Sequence, residues 1–302
     1  MPLSVAPITA DELSSAARLM FTSAPAAEQD TRAGRFAELV TSGEIDAGGI
    51  LLAKRDGTPV GVAVVQLLSG GSAVVVPPAP DGGEASDALA AATVAFLSAS
   101  SAVIAHLFLD PGEVAKAAPL LRHGFGPAAT ITHMLRDLEH LPPRPRGLTF
   151  DPAEAAPEVF GETLLATYDG SLDVPEANTD RPAADILAGY AQGQPDPPHW
   201  WLARDAAGTP VGVVLLSAPR FHPAWEVGYL GVVPAARGNG YGRTLLRFAM
   251  HACDHLGGEH LTLSVDARNE PALAVYRDHG FRRYHEQRVF LWRRDGGVSR
   301  SA

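Results

Sequence analysis

Apolar positions in this chain follow two rhythms. Short apolar runs bounded by glycine, proline and polar residues predict strands. Ile50–Leu68 and Trp200–Ser217 each read as strand, polar turn, strand, with Gly-Thr-Pro in the turn. Trp225–Pro234, WEVGYLGVVP, reads as another strand, closed by Pro234. The other rhythm is helical. After the glycine-rich turn Arg237-Gly238-Asn239-Gly240-Tyr241-Gly242, apolar residues recur at Leu245, Leu246, Ala249 and Ala252, one face of a helix. His260–Ala267 predicts a further strand, and a short helix follows it.

Strand, glycine turn and helix start together predict an anion site. Backbone N–H groups converge there, the helix dipole adds partial positive charge, and missing Cβ atoms let a diphosphate approach. The turn does not match the Gly-Lys-Ser/Thr ending of a P-loop, because it closes as Gly242-Arg243-Thr244. A dinucleotide fingerprint needs Gly-x-Gly-x-x-Gly and an acid ending the next strand. The glycines here are two apart, at 238, 240 and 242, yet Asp266 does end a strand, so that residue alone leaves the dinucleotide reading open. Further on, Asn269, Ala272, Tyr276, Gly280 and Phe281 fall in the order N-x-x-A-x-x-x-Y-x-x-x-G-F.

On these residues the sequence resembles the GNAT superfamily of acetyl-CoA-dependent N-acyltransferases. The family's diphosphate motif, Gln/Arg-x-x-Gly-x-Gly/Ala, matches at Arg237, Gly240 and Gly242, and its downstream strand, helix and Gly-Phe turn match at His260–Ala267, Asn269, Tyr276 and Gly280-Phe281. The resemblance covers roughly Gly147 to Arg294.

The chain also repeats itself. Placing Gly61 on Gly212 aligns the two hairpins at an offset of 151 residues. His106–Phe125 resembles Leu261–Phe281, with Asp110 on Asp266 at an offset of 156. Segments matched in order at nearly constant offset indicate duplicated domains. The expected fold is therefore α/β, an α+β mixed sheet, in two tandem GNAT-like domains. The expected divisions are 1–138, a proline-rich linker at 139–147, a catalytic domain at 148–294 and a tail at 295–302. The N-terminal copy reads as degenerate. It has Gly82-Gly83 but no arginine or glycine triplet, and Asp81, Glu84 and Asp87 place negative charge where a diphosphate would sit. Leu120 stands where Tyr276 would be, and Glu113 where Asn269 would be. Its expected role is support, with help in forming the acceptor pocket as the second reading. The two-copy layout resembles the mycothiol synthase family, in which the C-terminal copy is catalytic.

Composition narrows the function classes. A length of 302 residues suits two domains, and a net charge of −10 argues against nucleic acid as a partner. One cysteine, Cys253, removes a disulfide framework and a cysteine zinc site. No apolar run is long enough to span a membrane, and the N-terminus lacks a secretory pattern, so the expected location is cytoplasmic. His199, Trp200, Trp201 and His222 do not have metal-ligand spacing, and no metal is assigned.

The resemblance implies roles for particular residues. Acetyl-CoA is the expected acyl donor. Its diphosphate falls to the loop of Arg237, Gly238, Asn239, Gly240, Tyr241, Gly242 and Arg243, where Arg237 either meets phosphate or holds the loop, and Arg247 is a further phosphate candidate. Its pantetheine arm falls to Leu230, Gly231, Val232, Val233 and Asn269, and a backbone N–H on that strand polarises the thioester. Gly228 and Gly231 suit a strand that bends or admits a ligand closely. Tyr276 is the expected general acid toward the leaving thiolate. Glu226, eleven residues before Arg237, is the expected base. Tyr168, Asp169 and Tyr229 are expected on the acceptor side, beside a polar loop that also carries Asp173, Asn178, Asp180 and Arg181. The acceptor is then a small-molecule or peptide amine, attacked directly in a ternary complex, in a monomer or homodimer. A non-catalytic acyl-CoA sensor or interaction protein is the alternative.

Overall fold

The computed structural model describes residues 2–80, 82–219 and 224–294. Asp81, His222 and the tail from 295 therefore lie outside the described residues. Two compact units are present. One holds residues up to 128 together with 288 onward, and the other holds residues 129–287.

In the first unit the order is β1 (Leu3–Pro7), α1 (Leu13–Met20), α2 (Ala26–Thr41), β2 (Ile50–Arg55), β3 (Thr58–Leu68), β4 (Ser72–Ala79), α3 (Gly83–Ala99), β5 (Ile104–Leu109) and α4 (Ala118–Arg122). Strands β1 to β4 are antiparallel neighbours, and α3 carries the chain across to β5, parallel to β4. The far side of β5 pairs antiparallel with residues 288–293. The acids at the start of α3 are already engaged: Glu84 pairs with Arg55 at 2.7 Å and Asp87 with Arg122 at 2.8 Å. Leu120 is fully buried in this unit's core, and Glu113 pairs with Lys116 at 2.6 Å. Neither residue offers the chemistry of its counterpart in the second copy.

The second unit repeats the plan. It contains most of β6 (Gly126–Asp137), then β7 (Thr149–Pro152), α5 (Pro157–Tyr168), α6 (Ala183–Ala191), β8 (Trp200–Arg204), β9 (Pro210–Ser217), β10 (Trp225–Val232), α7 (Tyr241–His255), β11 (His260–Asp266), α8 (Glu270–Asp278) and the first part of β12 (Arg282–Arg293). Strands β7 to β10 are antiparallel, β11 is parallel to β10, and β6 closes antiparallel onto β11. Both predicted hairpins form, as β2–β3 and β8–β9. The strand that follows each copy's last helix does not return to that copy's own parallel pair: β6 lies on β11, and the end of β12 lies on β5. The proline-rich segment 139–147 runs between β6 and β7, where the Pro142 carbonyl meets His251 Nε2 of α7 at 2.8 Å.

Helix α7 buries Leu245, Leu246, Ala249, Met250 and Cys253, a spacing that keeps them on one face. Burial of each leucine is worth roughly 1.5–3 kcal/mol. Burial pushes the Cys253 thiol up to about 12, with help from the Asp254 charge, so this thiol packs rather than reacts. On β10, Trp225 and Val227 face the α7 core. A register shift between Val227 and Tyr229 then turns Tyr229 into the core beneath α5 and α6.

Two glycines of the second unit differ in the room they leave for a side chain, which gives a test of the packing. A Cβ on Gly231 would lie 2.7 Å from Thr167 Cβ and Oγ1 and 2.8 Å from Tyr229 Cε1. Thr167 is buried and bonded on both sides, so it cannot give way. A Cβ on Gly242, in the first turn of α7, meets nothing within 4 Å. Gly231→Ala should cost about 1–3 kcal/mol, seen as a lower urea midpoint at unchanged slope. Gly242→Ala should leave the midpoint unchanged or raise it. Equal losses in the two variants would contradict this packing.

Candidate functional site

The site begins where two strands part. Strand β10 pairs with β9 from Glu226 to Val232, but with β11 only through Trp225, Glu226 and Val227. Strand β11 continues to Asp266 on β6. Beyond Val227 the facing edge of β10 leaves its neighbour, and a cleft of about 430 Å³ opens beside it. Of the residues predicted for the cofactor, Leu230, Gly231, Val232, Arg237, Gly238, Gly240, Tyr241, Gly242, Arg243, Asn269 and Tyr276 line this cleft, and Tyr229 joins them. Val233 and Asn239 are not among its lining residues. The Val233 N–H is spent on the Val211 carbonyl at 3.0 Å, and the Asn239 amide braces the loop through the Ala236 carbonyl at 3.1 Å.

The loop's glycines are required by its backbone. Gly238 and Gly240 sit at φ 81° and 78°, where a side chain is strained. Gly240 is the left-handed N-cap of α7 and carries no side-chain cap. The first N–H groups of an α-helix have no helical partner, so α7 presents donors and its positive dipole end beside the cleft. Gly242 is helical and its missing Cβ points into open space. Packing does not explain a glycine there, whereas close approach of a ligand does.

Arg237 holds this arrangement from below. Its Nη2 donates to the Thr167 carbonyl at 3.0 Å and the Asp169 carbonyl at 2.6 Å, its Nη1 to Gly170 at 3.1 Å, and its Nε to Val232 at 3.2 Å. Helix α5 ends at Tyr168, so one guanidinium caps the carbonyl end of α5 and ties it to the loop and β10. Asp169, expected on the acceptor side, gives its carbonyl to Arg237 and is not among the residues lining the cleft. Arg243 pairs with Asp278 at 2.8 Å. Arg247 donates to His279 Nε2 at 3.2 Å, while the other ring nitrogen meets the Val275 carbonyl at 2.8 Å. Burial lowers the His279 pKa and the nearby arginines reinforce that, so the imidazole is held neutral.

Tyr276 of α8 lies half-buried on the cleft wall and packs against Phe281, with ring centroids 6.0 Å apart. Burial pushes its phenol well above the ordinary tyrosine value, and the Asp173 charge adds to the rise. The phenol therefore stays protonated, a donor rather than a base. Asn269 Oδ1 caps α8 by accepting from the Ala272 N–H at 3.3 Å.

The acceptor-side residues divide. Tyr168 and Tyr229 pack edge to face at 5.2 Å. Tyr229 Oη lies 2.8 Å from Thr167 Oγ1, whose own proton goes to the Leu164 carbonyl at 2.6 Å, so the Tyr229 hydroxyl is the donor in that pair. Glu226 is exposed and does not line the cleft; it accepts from Ser264 Oγ at 3.4 Å, and that hydroxyl meets His133 Nδ1 at 3.0 Å. A different carboxylate does line the cleft. Asp173, in the loop after α5, accepts the Asp266 N–H at 2.7 Å. In return the Asp266 carboxylate accepts the N–H of Val174, at 3.2 Å. Val174 is held at φ 42°, a conformation that costs a β-branched residue of order 1–3 kcal/mol. Burial raises the Asp173 pKa, the Asp266 charge adds to it, and the Asp266 N–H and Arg268 oppose it. Asp266 itself is fully buried and bound by Arg268 Nη2 at 2.6 Å. It has no oxygen left for a ribose, which closes the dinucleotide reading.

Comparison with known proteins agrees with this geometry. The model of the Acetyltransferase (GNAT) family matches residues 164–281. A mycothiol acetyltransferase of Pseudarthrobacter chlorophenolicus is 37% identical over 105 residues, 33% of this chain and 32% of that protein. One from Jonesia denitrificans is 29% identical over 174 residues, 54% of each. The matches thus span about a third to a half of those relatives' length. The solved tandem GNAT protein from the clavulanic acid biosynthesis pathway aligns over 100% of both chains, with a TM-score of 0.52 at 19% identity. Residues 164–281 thus match the GNAT acetyltransferase family model, and the chain as a whole has the fold of a tandem GNAT protein.

Proposed function

We propose that the second unit transfers the acetyl group of acetyl-CoA to a primary amine by direct attack in a ternary complex. The observation that carries this reading is one cleft holding the glycine loop at the start of α7, the unpaired edge of β10 and the Tyr276 phenol. The loop's N–H groups take the diphosphate. An N–H on the β10 edge polarises the thioester carbonyl and stabilises the oxyanion. The amine attacks as its neutral form, the tetrahedral intermediate collapses, and the C–S bond breaks. Tyr276 donates its proton to the departing sulfur. Glu226, read from sequence as the base, stands outside the cleft lining and would reach an amine in the cleft only through water. A screen of coenzyme A release across amines, amino acids, aminoglycosides and peptides tests the reading. Tight acetyl-CoA binding with no acetylated product in any of them would instead fit a non-catalytic acyl-CoA sensor.

Two variants test the parts. Gly242→Val places a branched side chain where only ligand comes near, so acetyl-CoA affinity should fall at least ~10-fold while the urea midpoint holds. Unchanged affinity would make the loop an ordinary turn. Tyr276→Phe keeps the ring and its contact with Phe281. Its kcat should drop roughly 10²–10⁴-fold with acetyl-CoA affinity retained. A rate near that of the parent protein from pH 6 to 9 would remove Tyr276 from the chemistry.

A further inference from the structure

The cleft that holds Tyr276 also carries a carboxylate with no ion pair of its own among the described residues. Three acids meet at the loop after α5, namely Asp173, Glu176 and Asp266, and one guanidinium, Arg268, serves them. Arg268 is fully committed: Nη1 and Nη2 grip Glu176 at 2.6 and 2.7 Å, and Nη2 also holds Asp266 at 2.6 Å. Asp173 has no ion-pair partner among the described residues; its Oδ1 accepts the Asp266 N–H, and its own N–H donates to Ser171 Oγ at 3.2 Å. Asp173 lines the cleft together with Tyr276, Asn269 and Tyr229, and only its Oδ1 is engaged by the Asp266 N–H. The left-handed turn at Val174 and the return bond from Asp266 hold it there.

We propose that Asp173 is the inner carboxylate of the acceptor site, holding the ammonium of a primary amine beside the thioester and taking its first proton. This rests on the acetyl-transfer reading above, and it assigns a cationic amine rather than a neutral alcohol or thiol as the acceptor class. The proton balance closes. One ammonium proton passes to Asp173, which later releases it to water. The freed lone pair forms the N–C bond, and collapse of the intermediate breaks C–S. The thiolate takes the Tyr276 proton, and the phenolate takes the second proton from the new amide nitrogen. The third stays as the amide N–H. The two groups are coupled in a useful direction. The Asp173 charge is one of the causes that hold the Tyr276 phenol up. Protonating Asp173 removes that charge before the sulfur needs a proton, so the phenol becomes the better acid at that stage.

The test compares two coenzyme A thioethers of nearly equal shape, S-(2-aminoethyl)-coenzyme A and S-propyl-coenzyme A, by calorimetry at pH 7 with the full chain. The parent protein should bind the aminoethyl conjugate at least ~10-fold more tightly, in line with a charge-assisted hydrogen bond. Asp173→Asn keeps an oxygen for the Asp266 N–H. It should retain S-propyl affinity and lose the preference; Asp173→Ser, a second variant that also removes the charge, should do the same. Absence of a preference in the parent protein would overturn the proposal, as would its persistence in both variants or its loss in Glu226→Gln instead. Failure of the parent protein to bind either conjugate would bring down the acetyl-transfer reading and this proposal together. Binding of both without preference would remove only the proposal.

Discussion

The candidate site depends on the parting of β10 from β11. Parallel strands normally satisfy each other's backbone along their whole overlap. Here the ladder ends at Val227, one residue before the bulge at Gly228, while β9 and β6 keep the outer edges of both strands paired. The sheet thus stays continuous on either side of an opening. Donors on the parted edge of β10 become available to a ligand in the cleft that opens beside it.

What keeps the opening in shape is a set of bonds made by residues that do no chemistry. Arg237 collects three carbonyls from the end of α5 and one from β10. These bonds tie the loop, the end of α5 and β10 to one another through a single side chain. On the other wall Arg268 fastens the loop after α5 to the end of β11 through Asp266 and Glu176. The first unit has the same antiparallel run leading into a parallel pair, yet its acids at the start of α3 pair with arginines and its counterpart of Tyr276 is a core leucine. The plan is repeated in both units, whereas the glycine loop and the cleft tyrosine are described in the second alone.

Much of this was legible in the sequence because it is local. The glycine loop, the helix after it, both hairpins and the Asn269–Tyr276 element depend on residues close together in the chain, and periodicity with turn chemistry reports them. The placement of β6 on β11 and of the end of β12 on β5 was not legible, since two similar copies offer two similar strand edges and pairing across them is a long-range choice. Within the site, the loop Tyr168–Arg181 showed several acids and no pattern to rank them. Asp173 is turned inward by a left-handed Val174 and by an N–H ninety-three residues away, neither of which leaves a sequence mark. Glu226 shows the reverse: its position in the strand was clear, but its distance from the cleft depended on where the β10–β11 ladder stops.

The central claim is that one cleft in the second unit, and no counterpart in the first, accepts the cofactor. Calorimetric titration of the full chain with acetyl-CoA tests it most directly. One molecule bound per chain, with binding lost in Gly242→Val and intact in Gly82→Val, is the predicted result. Two comparable sites per chain, or a site that survives the change at Gly242 and disappears with the change at Gly82, would contradict it.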